Sequence, residues 1–404
     1  MLKVIGIAVL TIYAATAVAA PAAHARDTGG HEHDLTPAQV LAGAADLLKN
    51  RQPEQAIGLL EFGLAEFPLD VEMNLLYLEL LLENRIEELA RGSYEARLKE
   101  YGDEPILLVG LGRLAADDAG ARASYERALA VDQDFAPARL GLAELALKNR
   151  DLDGAAAAID AAWAANPDDR RVYAFRGTLR MELGQFEDAV DDFNRALQGD
   201  PYAPAVHARL GQAYYLLENY EAAAEEYRDA IALNGDGGAY YLGLGRALEA
   251  TNDTAAARLN YRTAASKTAD DKATPVAALK AAGRLAYLSG ETAEAKQELE
   301  RAVALAPEDA EAWGFLGINR MMTDDAAAAA AFANAAELEP SRADWWFYLG
   351  VCRQRTGEYD GAEEALLKAH EAITTYKRAD DKVTDENIMS VLAAVRAMRA
   401  AQRK

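Results

Sequence analysis

From Thr36 onward, apolar residues recur three and four positions apart in runs of about a dozen residues, separated by short polar breaks. That spacing puts them on one face of an α-helix and predicts a succession of short amphipathic helices. No stretch of comparable length alternates apolar and polar positions, so strands are not expected. The helices are paired, with a fixed period. Between Asp169 and Asp236 one pattern occurs twice, thirty-four residues apart: Gly177 recurs as Gly211, Ala189 as Ala223, Phe193 as Tyr227 and Ala196 as Ala230. A fixed period of this length marks a repeat architecture and decides the fold before any single residue does.

The frame can be followed along most of the chain. Unit 170–203 carries Tyr173, Gly177, Ala189, Phe193, Ala196 and Pro201. Unit 204–237 has Leu210-Gly211, Tyr214, Ala223, Tyr227 and Ala230, and unit 238–271 has Tyr241, Leu244-Gly245, Ala257, Tyr261 and Ala264. Upstream, 136–169 keeps Ala143, Ala155, Ile159, Ala162 and Pro167, 102–135 keeps Ala121, Tyr125 and Ala128, 71–101 keeps Ala90 and Tyr94, and 37–70 keeps Ala44, Ala56 and Pro68. Extra residues near Asp271–Pro275 lengthen one connection. The frame then resumes with Gly283, Ala295, Leu299, Ala302 and Pro307, followed by 310–342 (Trp313, Leu316-Gly317, Phe332, Ala335, Pro340) and 343–376 (Trp346, Leu349-Gly350, Ala362, Leu366, Ala369). Small residues at the crossing points let the two helices of a unit approach, and large ones fill the space beside them. Proline ends the second helix because it cannot continue the hydrogen-bonded ladder.

This layout resembles the tetratricopeptide repeat, or TPR, of the exported bacterial type. There helix A carries a bulky residue, Leu-Gly and an aromatic, helix B carries Ala, an aromatic and Ala, and proline closes the unit. The resemblance covers 37–376 in about ten units. It implies an all-α, right-handed superhelical solenoid in which no unit can bury its apolar face alone. Residues 377–404 hold a last helix without a partner, 384–403, with Ile388, Val391, Leu392, Val395 and Met398 on one face. Asp385 and Glu386 at its start and Arg396, Arg399 and Arg403 near its end suit the helix dipole, and a capping helix is expected.

Residues 1–25 read as a secretory signal peptide: Lys3, an apolar run from Val4 to Ala15, then Ala23-His24-Ala25 as a small-x-small cleavage pattern. No cysteine follows the run, so a lipoprotein signal is absent, and a periplasmic or secreted location is expected, with no stable membrane span after cleavage. Residues 26–36 read as a flexible linker. His31, Glu32, His33 and Asp34 within it alternate metal-ligating types, but on a flexible segment these make a weak site.

Composition narrows the functions. The chain has 404 residues, too many for one ordinary core, and 51% of them are apolar, much of that alanine. This suits thin stacked helical layers. The formal net charge of −23 argues against nucleic acid, whose phosphates need clustered Lys and Arg. The single cysteine, Cys352, can form no internal disulfide and reads as a small hydrophobe between helices.

No catalytic constellation, metal cluster or cofactor motif stands out. His207 and His370 read as isolated on repeat helices. Asp168-Asp169 and Asp324-Asp325 sit at breaks, where N-capping explains them. Gly235-Asp236-Gly237-Gly238 lacks the Lys-Ser/Thr of a phosphate loop and reads as a helix connection. Asn252-Asp253-Thr254 is a glycosylation sequon, relevant only in a eukaryotic secretory pathway.

The TPR resemblance implies ligand binding along helix A, at its second, fifth, sixth, ninth and twelfth positions. Carried over, these give Arg209, Gln212 and Tyr215 in one unit, Arg246 in the next, and Lys280, Arg284 and Tyr287 in the third. Flanking units offer Glu144, Glu182, Met321, Met322 and Phe347. A basic and aromatic groove in an acidic protein is expected to hold an extended or helical partner segment with acidic groups or a terminal carboxylate. The family's carboxylate clamp of paired Lys and Asn is not reproduced: Lys280 matches one place, but Arg284 stands where Asn is expected. The expected function is a non-catalytic scaffold, not an enzyme, for other proteins of the bacterial cell envelope. The alternative is an envelope polysaccharide-binding or export-assembly factor, with Tyr215, Tyr287 and Trp345-Trp346 stacking on sugars.

Overall fold

A computed structural model describes residues 36–403, apart from 51, 84–86, 200–201, 236 and 268–272. The signal peptide, most of the linker with His31–Asp34, Pro201 and Asp236 lie outside the described residues. The described structure is helical throughout and forms two compact units, which meet in sequence at Gly235 and Asp236. The first unit holds α1 (Pro37–Lys49), α2 (Pro53–Glu66), α3 (Val71–Glu83), α4 (Glu87–Tyr101), α5 (Pro105–Arg113), α6 (Asp118–Val131), α7 (Ala136–Lys148), α8 (Leu152–Ala165), α9 (Arg171–Glu182), α10 (Phe186–Leu197), α11 (Pro204–Leu216) and α12 (Tyr220–Leu233). The second holds α13 (Gly238–Ala250), α14 (Thr254–Lys267), α15 (Ala273–Leu288), α16 (Thr292–Leu305), α17 (Ala310–Arg320), α18 (Asp325–Leu338), α19 (Ala343–Arg355), α20 (Tyr359–Tyr376) and α21 (Asp385–Gln402). Odd-numbered helices up to α19 are helix A and even-numbered ones helix B, so each unit is an all-α solenoid stack of hairpins.

Local chemistry sets the boundaries. Thr36 caps α1 reciprocally with Gln39, and Pro37, Pro53, Pro105 and Pro204 open their helices at the position where a missing N–H costs nothing. Asp117, Asp151, Asn219, Asp309 and Asp324 are side-chain N-caps. Asp168-Asp169 is not: Arg170 stands at the N-cap of α9 with no side-chain cap bond, and the Asp169 carboxylate accepts from the backbone N–H of Arg171 instead. The turn from helix A to helix B repeats the period. Arg150, Gly184, Glu218, Asn252, Gly290 and Gly357 all stand there with positive φ. A side chain in that left-handed region is strained by its Cβ. Glu218, at φ 59, is the test: Glu218→Gly should raise stability by about 0.5–1 kcal/mol after the larger chain entropy of glycine is subtracted, read as a shifted urea midpoint with unchanged slope.

The packing code is the one the sequence carries. A Cβ on Gly177 would lie 2.7 Å from the Phe193 ring, and one on Gly245 would lie 2.6 Å from that of Tyr261. Helix A is thus pressed onto the large side chain sixteen residues further on. Ala189, Phe193, Ala223, Ala257, Ala264, Ala295 and Ala302 are wholly buried, and Tyr261 nearly so. Cys352 is buried among Trp345, Leu349 and Ala365, and burial pushes its thiol up to about 12, leaving it inert.

α21 closes the second unit as a cap, with Ile388, Leu392 and Val395 buried against Leu366, Ala369 and Ala372 of α20. Its connection is tied down. The buried Asp344 carboxylate accepts from the backbone N–H of Lys382 (2.8 Å) and Val383 (2.9 Å), and Ala343 N–H donates to Asp381 Oδ1 (3.1 Å). Glu363 of α20 receives Arg396 and Arg399 of the cap. The Arg396 hydrogen bond, with Arg399 behind it, holds Glu363 below its ordinary value of 4.5, so its contribution is present above that value and is lost as pH falls through the lower folded one. Asp380, drawn to about 2 by Arg378, carries the same sign. Asp381, raised by burial, carries the opposite sign. Between pH 4.5 and about 2, amides of α21 should exchange with solvent sooner than those of α19. Glu363→Gln should show that loosening already at neutral pH.

Candidate functional site

The curvature of the first unit locates its inner side. Arg171 at the start of α9 reaches Glu72 at the start of α3, with Nη2 3.1 Å and Nη1 3.3 Å from its carboxylate oxygens. These are helix-A starts ninety-nine residues apart, with α5 and α7 between them. Packed helices lie roughly 8–10 Å apart, so a straight row would hold α3 and α9 about 24–30 Å apart, beyond the reach of two side chains. The row of A helices therefore forms the inside of a curve. Arg171 is also held by the buried Asp169 (2.8 Å), which together with Glu72 raises its pKa against the cost of burial.

Of the seven residues expected to bind a ligand, Arg209, Gln212 and Tyr215 belong to the first unit, all on α11. Arg209 and Gln212 are exposed and Tyr215 is half-buried, its ring edge-on to Tyr220 at 5.3 Å. Arg246, Lys280, Arg284 and Tyr287 belong to the second, on α13 and α15. Arg246 is exposed and, among the described residues, forms no ion pair. The other two cations are engaged. Lys280 Nζ lies 2.9 Å from Asp309 and 2.8 Å from Glu311, and only 18% of its side chain is exposed. Its hydrogen bonds to these carboxylates raise its pKa against desolvation. Arg284 is bonded to Glu249, which also accepts from the Tyr261 hydroxyl at 2.8 Å. The structure thus distinguishes an open cation, Arg246, from two that tie neighbouring A helices together. The sequence could not separate them, because the partners of Lys280 lie about thirty residues away. Tyr287 points its hydroxyl at Met322 Sδ, 4.0 Å away.

The tryptophan pair does not offer a sugar platform. Trp345 is 3% exposed and stacks on Phe332 at 6.4 Å, with a Cβ on Gly314 able to come within 2.3 Å of its ring. Trp346 is half-buried, donates its Nε1–H to Pro340 O (3.1 Å) and is covered by the Lys368 ammonium at 4.6 Å. Packing consumes both rings, which corrects their expected role in the polysaccharide reading. The histidines also differ from expectation. His207 lies 2.7 Å from Glu226, and His370 lies 2.5 Å from Asp385, helping to pin the cap. Neither is isolated, because the carboxylates come from the next helix. Among the described residues, no helix is long and apolar enough to cross a membrane.

The geometry defines a class, a stack of helix hairpins with an inner helix-A face, and the comparisons give it a family. The tetratricopeptide-repeat family matches residues 41–105, 109–170, 140–204, 175–237, 208–273, 280–318 and 324–378. The chain therefore belongs to the tetratricopeptide-repeat family. Similar solved structures include YrrB, described as a TPR protein with an unusual peptide-binding site (20% identity, 46% of this chain and 94% of that chain, TM-score 0.39). A tetratricopeptide-repeat protein from Parabacteroides merdae shares 18% identity over 65% of this chain and 99% of that one, with a TM-score of 0.41. PilW, described as a widely conserved type IV pilus biogenesis factor, shares 17% identity over 56% and 99%, with a TM-score of 0.44. No curated protein matches the sequence.

Proposed function

We propose that the protein is a non-catalytic scaffold that holds segments of partner proteins against its helix-A faces, and that it does so in the bacterial cell envelope, where the leader read from residues 1–25 would deliver it. One observation carries the reading. The apolar repeat positions are used up in packing, while the helix-A surface keeps Arg209 and Gln212 exposed beside the half-buried Tyr215 on one unit, and Arg246 exposed on the other. In the second unit, an acidic segment or terminal carboxylate would dock first on Arg246, and could recruit Arg284 by displacing Glu249. Lys280 would not take part, since a ligand would have to break two ion pairs in a half-buried setting.

The two cations give opposite expectations. Arg246→Glu should leave the thermal midpoint nearly unchanged and reduce capture of partners from envelope extract several-fold. Lys280→Glu should lower the midpoint, because it sets a third carboxylate against Asp309 and Glu311, while a correctly folded Lys280→Met should capture partners normally. Equal capture by wild type and Arg246→Glu would remove the basic-groove reading. Crosslinking from a photoreactive residue at position 212 would identify the partner.

A further inference from the structure

The hairpin of α11 and α12 brings together three metal-ligating side chains. His207 lies near the start of α11. Glu226 and Asp229 are three apart on α12, which puts both carboxylates on one side of that helix. His207 Nδ1 stands 2.7 Å from Glu226 Oε2, and one ligand atom from each of the three residues lies within 4.8 Å of the others. The His207 and Glu226 side chains are 14% and 22% exposed, while Asp229 is exposed, so the cluster is walled on one side and open on the other.

The cluster differs in its electrostatics from most half-buried or buried carboxylates cited above. Arginine or lysine neutralises Asp169 (Arg171), Asp309 (Lys280) and Glu363 (Arg396 and Arg399), whereas the half-buried Asp381 is met by a backbone N–H. Among the described residues, neither Glu226 nor Asp229 has a lysine or arginine within ion-pair distance. Two carboxylates and one imidazole thus converge without a fixed cation, in a protein of net charge −23.

We propose that His207, Glu226 and Asp229 form a binding site for one divalent transition cation, with Zn2+ as the best chemical match. Imidazole nitrogen and carboxylate oxygen are both donors that ion takes, and the two negative charges balance it. Zn–N and Zn–O bonds of about 2.0–2.2 Å at tetrahedral angles hold ligand atoms roughly 3.4 Å apart. The 2.7 Å pair must open by about 0.7 Å and the widest separation must close by up to about 1.4 Å, which side-chain torsions on two fixed helices can supply. The metal takes the place of the proton between His207 Nδ1 and Glu226. Three protein ligands leave a coordination position on the open side for water or for a donor from a bound partner. The site is independent of the groove reading.

The test uses the full chain without an affinity tag and with His31 and His33 replaced by alanine, so that the N-terminal pair cannot contribute. Calorimetric titration with Zn2+ should show one equivalent bound per chain. Co2+ should give the visible absorption of a low-coordinate site. His207→Ala should weaken binding by more than the roughly tenfold to hundredfold that loss of an outer-shell partner costs, and should abolish the Co2+ bands. Asp229→Asn, at an exposed position that cannot upset the core, should weaken Zn2+ binding without changing the helical signal or the metal-free melting temperature. Absence of saturable binding, or titrations unchanged by both substitutions, would overturn the proposal and leave His207 and Glu226 as a simple hydrogen-bonded pair.

Discussion

Exchange of Gly141 for alanine should destabilise the first unit by about 1–3 kcal/mol, the usual range for overpacking a core that cannot yield. Alanine is the better helix former by about 1 kcal/mol, so propensity alone gives the wrong sign. The reason is Tyr125. Its ring is 2% exposed and is pinched between α5 and α7: a Cβ on Gly141 would lie 2.5 Å from it, and one on Gly112 2.4 Å from it. The ring cannot withdraw from one helix without striking the other. Tyr125→Ala removes the wedge itself and should cost more, about 3–5 kcal/mol for a buried aromatic. Gly211→Ala is the control. There the new Cβ would lie 3.2 Å from both the Tyr227 ring and the Ala223 carbonyl oxygen, so the two helices need separate by only a few tenths of an ångström and the helix gain offsets the strain. Urea denaturation should rank the three Tyr125→Ala, Gly141→Ala, Gly211→Ala in falling cost. Equal effects for the two glycines would mean that the close approach is not what selects glycine.

The second large effect concerns a charge. Asp192 is in α10, its side chain 1% exposed, and Arg176 grips both its oxygens at 2.6 and 2.9 Å while Arg180 adds a third contact at 2.7 Å. Both arginines come from α9, so the trio stitches helix A to helix B. Replacing both with methionine leaves a buried carboxylate without a partner and should cost about 3–5 kcal/mol. Asp192→Asn should cost less. It removes the buried charge and leaves two arginines that are each about a quarter exposed and can turn to water. Each single arginine substitution should fall well below half of the double, because the remaining guanidinium still neutralises the acid. A double-mutant cycle in chemical denaturation reads that coupling directly. Additive costs would show that the two guanidiniums act independently.

The sequence made the fold legible because each unit writes the same small-large code. Gly177 with Phe193 and Gly245 with Tyr261 identify their crossings by type and spacing alone, and the geometry at those crossings matches. The cap was equally legible. Ile388, Leu392 and Val395 share one face and are buried, while Thr384 and Asn387 form the reciprocal cap at its start. The ties that hold it were not. The Asp344 carboxylate meets backbone N–H groups thirty-eight and thirty-nine residues away, a link with no local signature. The candidate site was half legible: the helix-A frame placed Gln212 and Arg246 on an exposed surface, but the same frame could not tell Arg246 from Lys280. It also left His207 looking solitary, although Glu226 faces it from nineteen residues away.

The sequence by itself determined the period, the helices, their caps and the residues at each crossing, because hydrophobic spacing, capping and steric fit act over one hairpin and repeat identically in the next. Only the tertiary structure decided which charges are open. An ion pair depends on where two side chains end after several helices have stacked, and the period constrains backbones far more tightly than the tips of arginine, lysine and glutamate. That is why Trp345 is core, Lys280 is a tie between helices, Arg171 reaches Glu72 across three repeats, and Arg246 is left facing solvent.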